Sequence, residues 1–216
     1  MKGIKFGEVH SYNDLGLILS RKEMGAPAVK SKKLDIDGAD SALDLTDFFG
    51  EPKYEDVTHR FDFSTNVPQS EFLSLFSTIK NAIHGKKKRI ILDDDPLFYW
   101  WGRCYVSSFT SEKGIGTITV ECECEPYKYK IDHTVIAQVV SGTHAITLQN
   151  GRKRAVPEVQ VYTEGGGSIT VDFRGNTWTL GKGHYTLPEL ELTEGANIVT
   201  VTGTGTITFT WLEGDL

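Results

Sequence analysis

The chain has 216 residues, a formal net charge of -6 and three cysteines, and 24% of its residues are charged. A chain of this length holds one large or two modest domains, each able to bury a core without disulfides or metals. The acidic balance argues against a nucleic-acid-binding surface, because affinity for phosphates comes from clustered lysine and arginine.

Met1 to Ser11 lacks the apolar segment of a signal peptide, and Leu15 to Leu19 is too short an aliphatic run to cross a bilayer. Neither export by a signal peptide nor a membrane anchor is expected. Cys122 and Cys124 lie two residues apart in a strand-like segment, too far for a disulfide with each other. With Cys104 they make an odd set, so free thiols and folding in a reducing cytoplasm are expected.

In chain order, Val29 to Ile36 is an extended stretch that offers Val29 and Ile36 to a protein partner. Asp35, Asp37 and Asp40 surround Gly38, a turn pattern rather than a calcium loop, which needs a third alternate ligand and a glutamate at position twelve. Glu71 to His84 predicts a one-faced helix: Phe72, Leu75, Phe76, Ile79 and Ile83 recur at helical spacing, and Gly85 follows where a helix-ending residue belongs. Lys86 to Arg89 then complements the helix dipole. Asp93 to Asp95 before Pro96 predicts another turn.

Leu97, Phe98, Tyr99, Trp100 and Trp101 form the densest aromatic run. In a strand, alternate members face opposite ways, so at least half are expected in the core and the remainder at a subunit contact. Thr117 to Cys124 alternates cleanly, with Ile118, Val120, Cys122 and Cys124 on one face. The character of the chain changes at 125–132, which divides an N-terminal α+β domain (1–131) from an all-β domain (132–216).

In the second domain, Ser168 to Phe173 and Thr206 to Trp211 alternate in the same way, and Gly175-Asn176 predicts a tight hairpin. Beyond position 131 there are 5 basic and 9 acidic residues. Short strands at this spacing predict a β-sandwich. The chain has no Gly-x-Ser-x-Gly pentapeptide, no local cysteine-nucleophile signature and no His/Cys spacing for zinc. No catalytic residue, metal ligand or cofactor site is therefore assigned.

Several blocks resemble a known family: Gly3–Leu19 (GIKFGEVHSYNDLGLIL), Leu43–Thr46 (LDLT), Ile83–Pro96 (IHGKKKRIILDDDP), Gly102–Val106 (GRCYV), Glu121–Tyr129 (ECECEPYKY) and the ending GANIVTVTGTGTITFTWLEGDL. In this order and spacing they resemble the distal tail protein of long-tailed phages and prophages. The resemblance implies an N-terminal domain that closes with five further copies into a ring, and a C-terminal galectin-like sandwich. It implies docking to the tail tube and to tail-tip or receptor-binding proteins, a channel through which DNA passes without specific binding, and a place at the virion tail tip after assembly in the host cytoplasm. Some members carry a carbohydrate-binding insertion, for which this chain is too short.

Two other functions remain open from the residues alone. One is a carbohydrate-binding module in the second domain, with Trp178 as the stacking residue. The other is a tail-associated hydrolase, which needs two carboxylates across a cleft.

Overall fold

The computed structural model describes residues 3–48, 50–112 and 114–216. In chain order the strands are β1 (Ile4–Phe6), β2 (Val9–His10), β3 (Ile18–Glu23), β4 (Lys33–Leu34), β5 (Leu43–Asp44), β6 (Val57–Thr65), β7 (Lys86–Leu92), β8 (Phe98–Glu112), β9 (Ile115–Lys130), β10 (Thr134–Asn150), β11 (Glu158–Tyr162), β12 (Ile169–Phe173), β13 (Asn176–Leu180), β14 (Gly183–Thr186), β15 (Gly195–Trp211) and β16 (Gly214–Asp215). A 3-10 turn at Gln69–Glu71 leads into helix α1 (Phe72–Ile83) between β6 and β7. The chain divides inside β9 into two compact units, Met1–Lys128 and Tyr129–Leu216.

In the first unit the strands run in the order β2-β1-β7-β8-β9-β6-β3. The alternation read in 117–124 continues in its neighbour: Val57, His59, Phe61 and Phe63 of β6 are buried opposite Cys124, Cys122, Val120 and Ile118 of β9. Helix α1 covers this sheet with Phe72, Ile79 and Ile83, all buried, while Leu73 on its far side is exposed. Gly85 takes φ +73°, the left-handed value that ends a helix without a Cβ clash.

The expectation for Lys86 to Arg89 needs correction, because these residues form the start of β7 rather than a helix tail. One of them still serves the helix end: Lys86 Nζ donates to the Asn81 carbonyl at 2.6 Å. Lys87 and Arg89 lie on the opposite face from buried Ile90 and Leu92, whereas Lys88 shares their face and is half-buried.

In the second unit β10 and β15 pair over their whole length, Thr134 with Trp211 through Asn150 with Gly195. On its other edge β15 pairs first with β12, ending at Gly203, and then with β11, starting at Thr206. The strand turns between them at Gly203 and Gly205, where φ is +150° and +151°. A Cβ on Gly205 would lie 2.4 Å from the Tyr162 carbonyl oxygen, so only glycine fits this corner. Val199 and Val201 before the corner and Ile207, Phe209 and Trp211 after it belong to one buried core. The predicted Gly175-Asn176 turn is shifted by one residue: Phe173 pairs with Asn176, and Arg174 (φ +48°) and Gly175 (φ +87°) make the two-residue loop.

Candidate assembly surface

Between β3 and β6 the chain leaves the first sheet as an arm with no core of its own. Its ladder is irregular. Glu55 N–H donates to the Ala28 carbonyl at 2.8 Å, Val29 bridges Tyr54, and Lys30 N–H donates to the Lys53 carbonyl at 2.7 Å. Further out, Leu45 N–H donates to the Lys32 carbonyl at 2.8 Å, and Leu34 pairs with Leu43. Gly38 closes the tip at φ +86°, the turn expected from the aspartates around it. Near the tip, hydrogen bonds from Thr46 hold the Asp44 carboxyl below its ordinary pKa.

The arm exposes apolar side chains along most of its length. Val29 is 47%, Ile36 50% and Phe48 73% accessible, and Met24, Leu34 and Leu43 are exposed as well. Exposed apolar side chains in this number on a two-stranded ribbon are unusual for a monomer surface and make the arm a candidate protein contact. Its root, by contrast, is fixed in the core. Gly25 N–H donates to Nδ1 of buried His59 at 3.2 Å, and a Cβ on Gly25 would meet the Thr58 carbonyl at 2.5 Å.

The aromatic run lies on β8, where cations cover it. Tyr99 is only 7% accessible, and the Arg89 guanidinium sits 4.6 Å from its ring centre. Lys87 Nζ is 5.7 Å from the Trp101 ring, and Lys128 Nζ is 4.3 Å from that of Phe98 and 5.8 Å from that of Trp100. Trp100 packs edge-on to His59 with centroids 5.2 Å apart. Thus Lys87 and Arg89 overlie aromatic rings within their own unit, and the most exposed member of the run is Leu97 at 70%.

No family model matches the sequence, and no curated protein matches it significantly. Comparison of structures does find a counterpart, SPP1 Dit, whose crystal structure is described as a paradigm of the hub adsorption apparatus in phages that infect Gram-positive bacteria. The likeness covers 100% of this chain and 100% of that chain, with a TM-score of 0.73 at 12% sequence identity. The chain has the SPP1 Dit fold.

In this Dit-like fold the remaining residues singled out in the sequence have partners within their own unit. Trp178 is half-buried and packs against the core of the second unit, opposite Val171 on β12. Asp93 accepts from the Gly3 N–H at 2.6 Å and lies 3.1 Å from His10 Nε2, while Asp95 pairs with Lys128 at 2.8 Å. Among the described residues no cluster of three or more His, Cys, Asp or Glu is arranged to hold a metal, and no helix is long and apolar enough to cross a membrane.

All three cysteines are free and buried. The Cys122 thiol is pushed well up in pKa by its contact with Cys104, whose Sγ is 3.2 Å away, and by burial. Burial raises Cys124 to about 12. Neither has the thiolate character of a reactive cysteine. The sequence did not reveal the Cys104–Cys122 contact, because it depends on the β8/β9 register.

Proposed function

We propose that this chain is a distal tail protein: six copies close into a ring that joins the tail tube to the tail-tip and host-adsorption proteins. The observation that carries this is the apolar arm of the first unit in a chain with the fold of a phage hub protein. A ring is built from head-to-tail contacts between different patches of identical subunits, and an arm that leaves its own sheet supplies one of the two patches. Val29 and Ile36 on the arm are the contact residues, with the half-buried rings of Phe98 and Trp101 as a second element, whereas Tyr99 is buried and takes no part.

The role is geometric and uses no catalytic residue or cofactor. The ring offers repeated docking sites, and its acidic chain repels DNA so that the genome passes without sticking. The second unit is a galectin-like sandwich, and the protein resides at the virion tail tip after assembly in the host cytoplasm. Full-length protein examined by native mass spectrometry and negative-stain imaging is expected to give closed six-membered rings. A chain that remains monomeric well above micromolar concentration, alone and with its tail-tip partner, would contradict the proposal.

A further inference from the structure

The arm and the sheet of the first unit carry opposite surpluses of charge. Positions 34–48, the outer part of the arm, hold Asp35, Asp37, Asp40, Asp44 and Asp47 and no lysine or arginine. Asp35, Asp37, Asp40 and Asp47 make no ion pair among the described residues. Between them stand Leu34, Ile36, Leu43 and Phe48, all exposed. The tip is a turn rather than a flat strand, with the Ala39 N–H donating to the Ile36 carbonyl at 3.0 Å, so its carboxylates and its apolar side chains can reach one surface.

On the sheet most cations have carboxylate partners: Arg21 with Glu23, Lys22 with Asp94, Arg60 with Asp62 and Glu121, and Lys128 with Asp95. Arg89 and Arg103 have none among the described residues. The first lies on the Tyr99 ring, and the second donates to the Gly85 carbonyl at 2.6 Å. They stand together, because β7 pairs Lys87 with Arg103 and Arg89 with Trp101. These four side chains project from the face opposite buried Ile90 and Cys104, with half-buried Tyr105 next along β8. Lys87 is held by Glu125 at 2.9 Å, which leaves the two guanidiniums as the unbalanced charge. The block is basic and aromatic, and arginine and tryptophan are the side chains that most often anchor protein contacts.

From this complementarity we propose that the arm tip of one copy docks on the Lys87/Arg89/Trp101/Arg103 block of the next copy. Carboxylates of the tip meet the guanidiniums of Arg89 and Arg103, and its apolar side chains cover the half-buried rings. The inference rests on the ring proposed above and names the second patch that a head-to-tail contact requires. The occupant is a second copy, because the surplus carboxylates and the surplus guanidiniums belong to the same chain and one contact between neighbours balances both. A phosphate backbone would match the guanidiniums alone and leave the aspartates of the tip without a partner. Burial of the apolar side chains gives affinity, and the opposed charges fix the orientation and speed the encounter.

The test uses two charge reversals in the full-length protein, Asp35→Lys/Asp37→Lys on the arm and Arg89→Glu/Arg103→Glu on the sheet. Each alone is expected to weaken self-association at least about tenfold. All four side chains are exposed, so the thermal midpoint should move by no more than about 3 °C in either variant. Mixed in equal amounts the two variants should associate again, because each carries the partner that the other now needs, and native mass should find both chains in one assembly. A reversal that leaves self-association unchanged, or a mixture that stays monomeric, would overturn the docking whatever the parent chain forms. Duplex DNA bound by the parent chain and released by Arg89→Glu/Arg103→Glu, with the ring mass unchanged, would overturn it in favour of nucleic acid. A mixture that associates only in pairs, beside a parent chain that never closes, would support the docking and refute the ring.

Discussion

The Gly25 N–H donates to Nδ1 of His59 at 3.2 Å, so a buried imidazole in the core of the first unit holds the root of an exposed arm. The bond requires a neutral Nδ1. His59 Nε2 is itself buried without a hydrogen-bond partner, and a charged ring would bring an uncompensated charge into the core.

Burial lowers the pKa of His59 to about 4 from its ordinary 6.5. The unfolded chain therefore takes up a proton at a higher pH than the folded one. Stability from this group is complete above the unfolded value, falls as pH drops from about 6.5 to about 4, and levels off below that, a total on the order of 3 kcal/mol. Urea melts across this range should show the loss, and His59→Asn should flatten it at the cost of a constant decrease.

Cys104, Cys122 and Cys124 are buried thiols that behave as small hydrophobes. Cys124→Ala is expected to cost about 1 kcal/mol by cavity formation. In native protein a thiol reagent should label all three slowly, and in denaturant at once. Rapid native labelling would show that this part of the sheet opens readily.

At the corner of β15, Gly205→Ala places a methyl group against the Tyr162 carbonyl at a φ that L-residues avoid. A loss of more than about 2 kcal/mol is expected. Gly165→Ala, at φ +62° with nothing within 4 Å, should cost about 1 kcal/mol. Equal midpoints for the two variants in chemical denaturation would mean that the corner is not fixed by its glycines.

Much of this fold was legible in the sequence wherever one element carried its own signal. The half-buried strands around Ile118, Ile169 and Ile207 announce themselves by period, and the helix by the spacing of Phe72, Ile79 and Ile83 and by Gly85 after it. What escaped depends on register between elements. Lys87 and Arg89 cover Trp101 and Tyr99 because β7 lies beside β8, and a run of cations next to a run of aromatics does not reveal that. The single 17-residue strand through the Gly203/Gly205 corner was likewise hidden, since glycines between alternating segments also mark turns.

The arm gives the sharpest division between folding and assembly. Leu34 and Leu43 pair across its ribbon and are both exposed, so polar replacements remove little packing from the core. Leu34→Ser with Leu43→Ser should shift the thermal midpoint by no more than about 2 °C, as surface changes do.

Self-association into a ring through the first unit shows in the native mass of the protein beside a Val29→Ser/Leu34→Ser/Ile36→Ser/Leu43→Ser variant. A hexamer is expected for the first and a folded monomer for the second. A variant that keeps the hexameric mass would contradict the assignment of the arm, and a parent chain that is monomeric throughout would contradict the ring itself.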